Sequence, residues 1–130
     1  MGSNRIAGTS FGPYIVFNAA VAAGADKTST AIACAEINKG CASIIIAGGA
    51  SATASSTLKL QASLDGVNGW YDTSTNHAVT VASNDWNSGS NGFSAGFGFD
   101  DVNAPHLRLF LDTGTASAAT TVTLTLWGKE

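Results

Sequence analysis

Charge is scarce in this sequence. Lys and Arg number 6 and Asp and Glu 9, so charged residues make up 12% of the chain and the net charge is −3. Globular domains ordinarily carry about 25%. The few basic residues are scattered and leave no electrostatic footprint for nucleic acid. No basic amphipathic segment exists for a membrane surface, and no apolar run nears the roughly 20 residues that a spanning helix needs. The opening MGSNRIAGTSFGPY holds one Arg but no apolar stretch of signal-peptide length. The expectation is a soluble protein made in a cytoplasm.

Groups that carry chemistry are equally sparse. His77 and His106 are the only histidines, and neither stands in a ligand-spaced cluster. Cys34 and Cys41 flank AEINKG; they face each other only if the strands on either side form a hairpin, and otherwise are two small buried thiols. No GxSxG context, no GxGxxG after a strand and no phosphate loop is present. Asp65, Asn68 and Asp72, like Asp100 and Asp101, lack the spacing and closing Glu of an EF-hand. These absences predict a protein that is not an enzyme and binds no metal or cofactor.

What remains is small polar residues and a strict alternation. In TLKLQASL, Leu58, Leu60, Ala62 and Leu64 share one face and Lys59, Gln61 and Ser63 the other. Leu107, Leu109 and Leu111 repeat the pattern in HLRLFL, as do Val122, Leu124 and Leu126 near the end of the chain. Period two with one apolar face is the mark of half-buried antiparallel strands. Further strands are expected over 14–21, 30–36, 43–47, 77–82 and 92–99, separated by turn signals such as Asn38-Lys39-Gly40, Asp65-Gly66 and Asn103 to Pro105. No segment reads as a helix. The fold class is all-β: an antiparallel two-sheet β-sandwich of jelly-roll type. It spans 14–130, and residues 1–13 form an extended N-terminal arm.

The aromatics suggest contact surfaces. Trp70 and Tyr71 are adjacent, so in a strand they face opposite ways. Trp86 sits in the polar SNDWNSGSNG, where no core is evident; it is either a contact residue or is buried by a loop that folds back. Phe110 and Trp127 occupy outward positions beside Arg108.

Three stretches, STAIACAEINKGCASIIIAGGA, TLKLQASLDGVNGWYD and FGFDDVNAPHLRLFLDTGTASAATTVTLTLWGK, together resemble small virion proteins of tailed bacteriophages over about residues 28–130. The head decoration, or cement, proteins fit best. Two departures stand out: Gly69 intervenes between the turn and Trp70, and Ala35-Glu36-Ile37 replaces a more polar run. The resemblance implies a sandwich on the outer capsid surface of the virion that stabilises the assembled shell. Its partners would be the major capsid protein and copies of itself, as a trimer in preference to a dimer. On that reading Asn4, Arg5, Ile6, Phe11 and Tyr14 meet the capsid, and one outer sheet face near Arg108, Phe110 and Trp127 forms the oligomer. The alternative is a receptor- or carbohydrate-binding module of a tail fibre or baseplate, with Trp70, Tyr71 and Trp86 as stacking platforms.

Overall fold

A computed structural model describes residues 10–22, 26–34, 37–47, 51–52, 54–87, 92–112 and 117–129. In chain order the elements are β1 (Ser10–Val21), β2 (Lys27–Thr28), β3 (Ile32–Ala33), β4 (Lys39–Ala47), β5 (Ser51–Ala52) and β6 (Ser56–Ser63). There follow β7 (Tyr71–Asp72), β8 (Ala78–Val81), α1 (Ser83–Asn87), β9 (Phe93–Phe99), β10 (His106–Asp112) and β11 (Ser117–Lys129). The strands form two antiparallel sheets. The first runs β9-β4-β11-β1, with β5 also on β11; the second runs β2-β10-β6-β7, with β3 on β10 and β8 on β6.

The pairing is nested. The first strand pairs with the last (β1 with β11), β2 and β3 pair with β10, β4 pairs with β9, and β6 pairs with β8. The chain crosses between the two sheets after β1, β3, β5, β8, β9 and β10, and so behaves as one long hairpin rolled up. This is the jelly-roll form of the β-sandwich.

Alternation explains why these strands lie where they do. Leu58, Leu60 and Ala62 stand opposite Leu111, Leu109 and Leu107 in the second sheet, and all six are buried. Ile44 and Ile46 stand opposite Leu124 and Val122 in the first sheet, and these four join the residues of the second sheet in one buried core. Phe93, Ala95 and Phe97 of β9 pack against the margin of that core, half-buried. A one-residue slip of any of these strands would turn its apolar row to water.

The structure differs from the sequence pattern at several places. β1 begins at Ser10, inside the segment assigned to the arm, because Ser10 and Phe11 pair with Lys129 and Gly128. Of the strand expected over 30–36, the described residues show Ile32–Ala33, preceded by the equally short Lys27–Thr28, while 35–36 lie outside the described residues. Alternation in β6 ends one residue early: Ser63 is buried and Leu64 faces solvent. A short helix, α1, stands where none was expected, and it carries Trp86 into the core, fully buried. Its turn is closed by Asp85, whose carboxylate accepts from the Ala82 amide at 3.1 Å.

Cys34 and Cys41 are free thiols. The strands that flank them do not make a hairpin, since β3 joins the second sheet and β4 the first. Cys34 is buried after β3 and donates to the Ala104 carbonyl at 3.3 Å, whereas Cys41 is exposed on β4.

Candidate functional site

The loop from Ser63 to Trp70 leaves β6 and is held by one carboxylate. Asp65 Oδ1 accepts from the Val67 amide and the Asn68 amide, each at 2.8 Å, and from the Ser63 hydroxyl at 3.1 Å. Hydrogen bonds from the Asn68 and Val67 backbone, in that order, hold the Asp65 carboxyl below its ordinary pKa. Ser63 also accepts from the Gly66 amide at 3.1 Å. Gly66 has φ +76°, and a Cβ there would meet His106 Cδ2 at 2.6 Å, so the turn requires glycine twice over. Gly69, at φ +67° with open space around it, turns the chain back toward β7. These contacts of Asp65 Oδ1 all go to its own loop and hold the turn closed. Around it Leu64 is 79% exposed, Val67 72% and Tyr71 49%.

Beside the loop, the outer face of the second sheet carries a chain of paired aromatic and charged groups. The Arg108 guanidinium lies 4.3 Å from the centre of the Trp70 ring, and its Nε donates to Gln61 Oε1 at 2.9 Å. Gln61 Nε2 donates to Asp72 Oδ1 at 3.0 Å, and Lys59 Nζ reaches Asp72 Oδ2 at 3.2 Å. Lys59 Nζ also stands 5.3 Å from the centre of the Phe110 ring. The register places these groups, since Arg108 is opposite Gln61, Phe110 opposite Lys59 and Gln61 opposite Asp72. The Gln61 hydrogen bond, and after it Lys59, lower the Asp72 pKa. Surface ion pairs of this kind contribute about 0–1 kcal/mol each, so the network orients side chains more than it stabilises the fold.

The outer face of the first sheet is different in kind. Its rows read Gly98, Cys41, Trp127; then Gly96, Ser43, Thr125, Ile15; then Ser94, Ile45, Thr123, Asn18. None of these is charged. Ile15 is 65% exposed and Ile45 45%, while Tyr14, on the edge strand β1, is 50% exposed. Lys129 closes one end, its ammonium 6.0 Å from the centre of the Trp127 ring.

A polar hollow lies between the sheets at one end, lined by Thr73, Ser74, Asn76, His77, Asp100 and Asp101 among others. His77 is buried; its Nδ1 is 2.8 Å from the Thr73 hydroxyl and its Nε2 3.7 Å from Asp100 Oδ1. Among the described residues no group of three or more His, Cys, Asp or Glu side chains is placed to hold a metal ion.

The residues singled out from sequence therefore scatter. Arg108 and Phe110 share the outer face of the second sheet with Trp70, but Trp127 lies on the first sheet, so the three do not form one patch. Trp86 is a core residue and offers no stacking platform. Asn4, Arg5 and Ile6 fall outside the described residues; Phe11 is paired in β1 through its backbone, and Tyr14 is half exposed there. The alternation places Leu64 on the buried face and gives Val67 no contact role, whereas both are exposed. The available signal was an apolar residue, Val67, set inside a DGVNG turn where polar residues are usual.

No protein-family model and no curated protein matches the sequence. Among solved structures the chain is similar to the PBSX exported protein XepA, with a TM-score of 0.57 and 19% identity over 95% of this chain and 38% of that one. The chain thus spans well under half of that protein, and the likeness is one of fold. A second similar structure is that of a CBM4, with a TM-score of 0.43 and 14% identity over 81% of this chain and 61% of that one.

Proposed function

We propose that this chain is a non-catalytic virion protein of a tailed phage that binds the outer surface of the assembled capsid as a homo-oligomer and stabilises it. The observation that carries this reading is the grouping of its exposed large apolar side chains. Among the described residues they fall into two sets: Ile15 and Ile45 on the outer face of the first sheet with Tyr14 along its β1 edge, and Leu64, Val67 and Tyr71 around the Asp65 loop. Exposed apolar groups gathered on separate surfaces suit a subunit with more than one neighbour. A low charge fits a protein whose surface is partly covered by others. The fold shared with a phage exported protein supports a phage origin, and the sequence resemblance supports the head as its place.

The N-terminal segment, with Asn4, Arg5, Ile6, Phe11 and Tyr14, is proposed to reach the capsid protein, and the oligomer multiplies weak single contacts by avidity. Incubation of the purified protein with capsids stripped of it, followed by imaging, tests this. Deletion of 2–9 leaves β1 and the sandwich intact and is expected to abolish capsid binding; unchanged affinity removes the segment from the mechanism.

The receptor- or carbohydrate-binding reading keeps one observation of its own: Trp70 lies against Arg108, which is bonded to Gln61 beside Asp72, a mixture of aromatic and polar groups suited to sugars. A glycan array answers it. Binding that disappears in Trp70→Ala would favour this reading over the capsid.

A further inference from the structure

The two edges of the first sheet are built differently. At one edge, β1 is guarded: it contains Pro13, shows three register shifts against β11, and has its Val16 carbonyl taken by the Thr30 amide at 3.0 Å. Such breaks are how sheets block further pairing. At the other edge, β9 has none of them. Its seven residues, FSAGFGF, contain no charge and no proline, and they pair with β4 in unbroken register from Phe93–Ile46 to Phe99–Gly40. Among the described residues no strand pairs with the other side of β9. A straight, uncharged edge that leaves a row of N–H and C=O groups unpaired is a template for another strand.

The sequence of β9 says which strand fits. Read outward from Gly96 in both directions it is nearly symmetric: Ala95 answers Phe97, Ser94 answers Gly98, and Phe93 answers Phe99. An antiparallel pair centred on Gly96 therefore sets small residues against small ones on the outer face. On the inner face it sets Phe93 and Phe97, both half-buried at the core margin, against Phe99 and Ala95 of the other strand. A two-fold interface requires this kind of self-complementarity. We propose that β9 pairs edge to edge with β9 of a second copy about a two-fold axis at Gly96, joining two first sheets into one continuous sheet. This deepens the self-association in the reading above and makes it two-fold; it is tested on the protein alone, so its failure is distinct from failure to bind capsids.

The test is the mass in solution, by light scattering or sedimentation, of the intact chain and of Ser94→Pro and Ala95→Pro. In an antiparallel strand successive N–H groups point to opposite sides. One of the two prolines therefore removes a bond to β4, and the other removes one only from the free edge. The intact chain is expected to be a dimer. The proline variant that keeps native circular dichroism is expected to dissociate about tenfold more readily or worse, from the loss of one ladder bond and its neighbours. A second arm needs no proline: Ser94→Cys with Gly98→Cys, in a Cys41→Ser background because Cys41 lies opposite Gly98 on β4. Position 98 has room, its nearest neighbour to a Cβ being Gly40 O at 3.7 Å. Oxidation is expected to give a covalent dimer. A monomeric intact chain, as would follow if its own first residues or another partner fill the edge, overturns the proposal. So does a trimer untouched by the tolerated proline, or a failure of the cysteine pair to cross-link.

Discussion

Single residues separate what is structural from what is available for contact. Burial pushes the Cys34 thiol up to about 11, while Cys41 stands exposed on β4. Only a thiolate reacts quickly, so a thiol reagent is expected to label one cysteine per native chain, Cys41, and both only after unfolding; peptide mapping checks the site. Trp86 gives a second contrast. Its ring fills the core but its Nε1 has no hydrogen-bond partner among the described residues. Trp86→Ala is expected to cost about 3–5 kcal/mol in urea unfolding, whereas Trp86→Phe, which also removes the unpaired donor, should cost far less. Trp86 was not legible in the sequence. Its helix has 5 residues, too short for a 3.6-residue period to register, and Ser, Asn, Asp and Gly around it imitate a loop. Asp65 was legible as a turn residue, though not as the acceptor that holds the loop. Its pKa is lowered in the folded chain, so the loop is favoured above the carboxyl's unfolded pKa. That support is lost as pH falls through the lower, folded pKa. The Val67 and Asn68 amide resonances should report this transition in acid, and Asp65→Ala should abolish it.

Elements show the same division on alternate residues of one strand. In β10, Leu109 points into the core and Arg108 out onto Trp70 and Gln61. Leu109→Ala is expected to cost about 2–5 kcal/mol. Arg108→Ala, which loses one cation–π contact and one hydrogen bond, should cost about 1–2 kcal/mol; equal losses in thermal or urea unfolding would place Arg108 in the core and not on a contact face. The long strands β6, β10 and β11 could be read from period two because each has one wet and one dry face. β2 and β3 could not: two residues carry no period, and their place is fixed by β10, far along the chain. For the same reason Arg108, Phe110 and Trp127 looked like one patch. Outwardness is visible in a sequence, but which of two sheets a strand joins is a long-range fact.

At the scale of the molecule, the roll-up of nested strand pairs leaves two outer faces of unlike chemistry: one uncharged across its central rows and ended by Lys39 and Lys129, the other carrying paired cations and rings beside an exposed apolar loop. The short, charge-poor sandwich was foreseeable from composition and alternation, but the division of its surface was not, because it depends on register between strands distant in sequence. The measurement that bears most directly on its role is cryo-electron microscopy of stripped capsids incubated with this protein. Ordered density at symmetry positions over the whole outer shell, with greater resistance of those particles to heat, is the predicted result. Density confined to the tail, or bare shells at saturating protein, would contradict it.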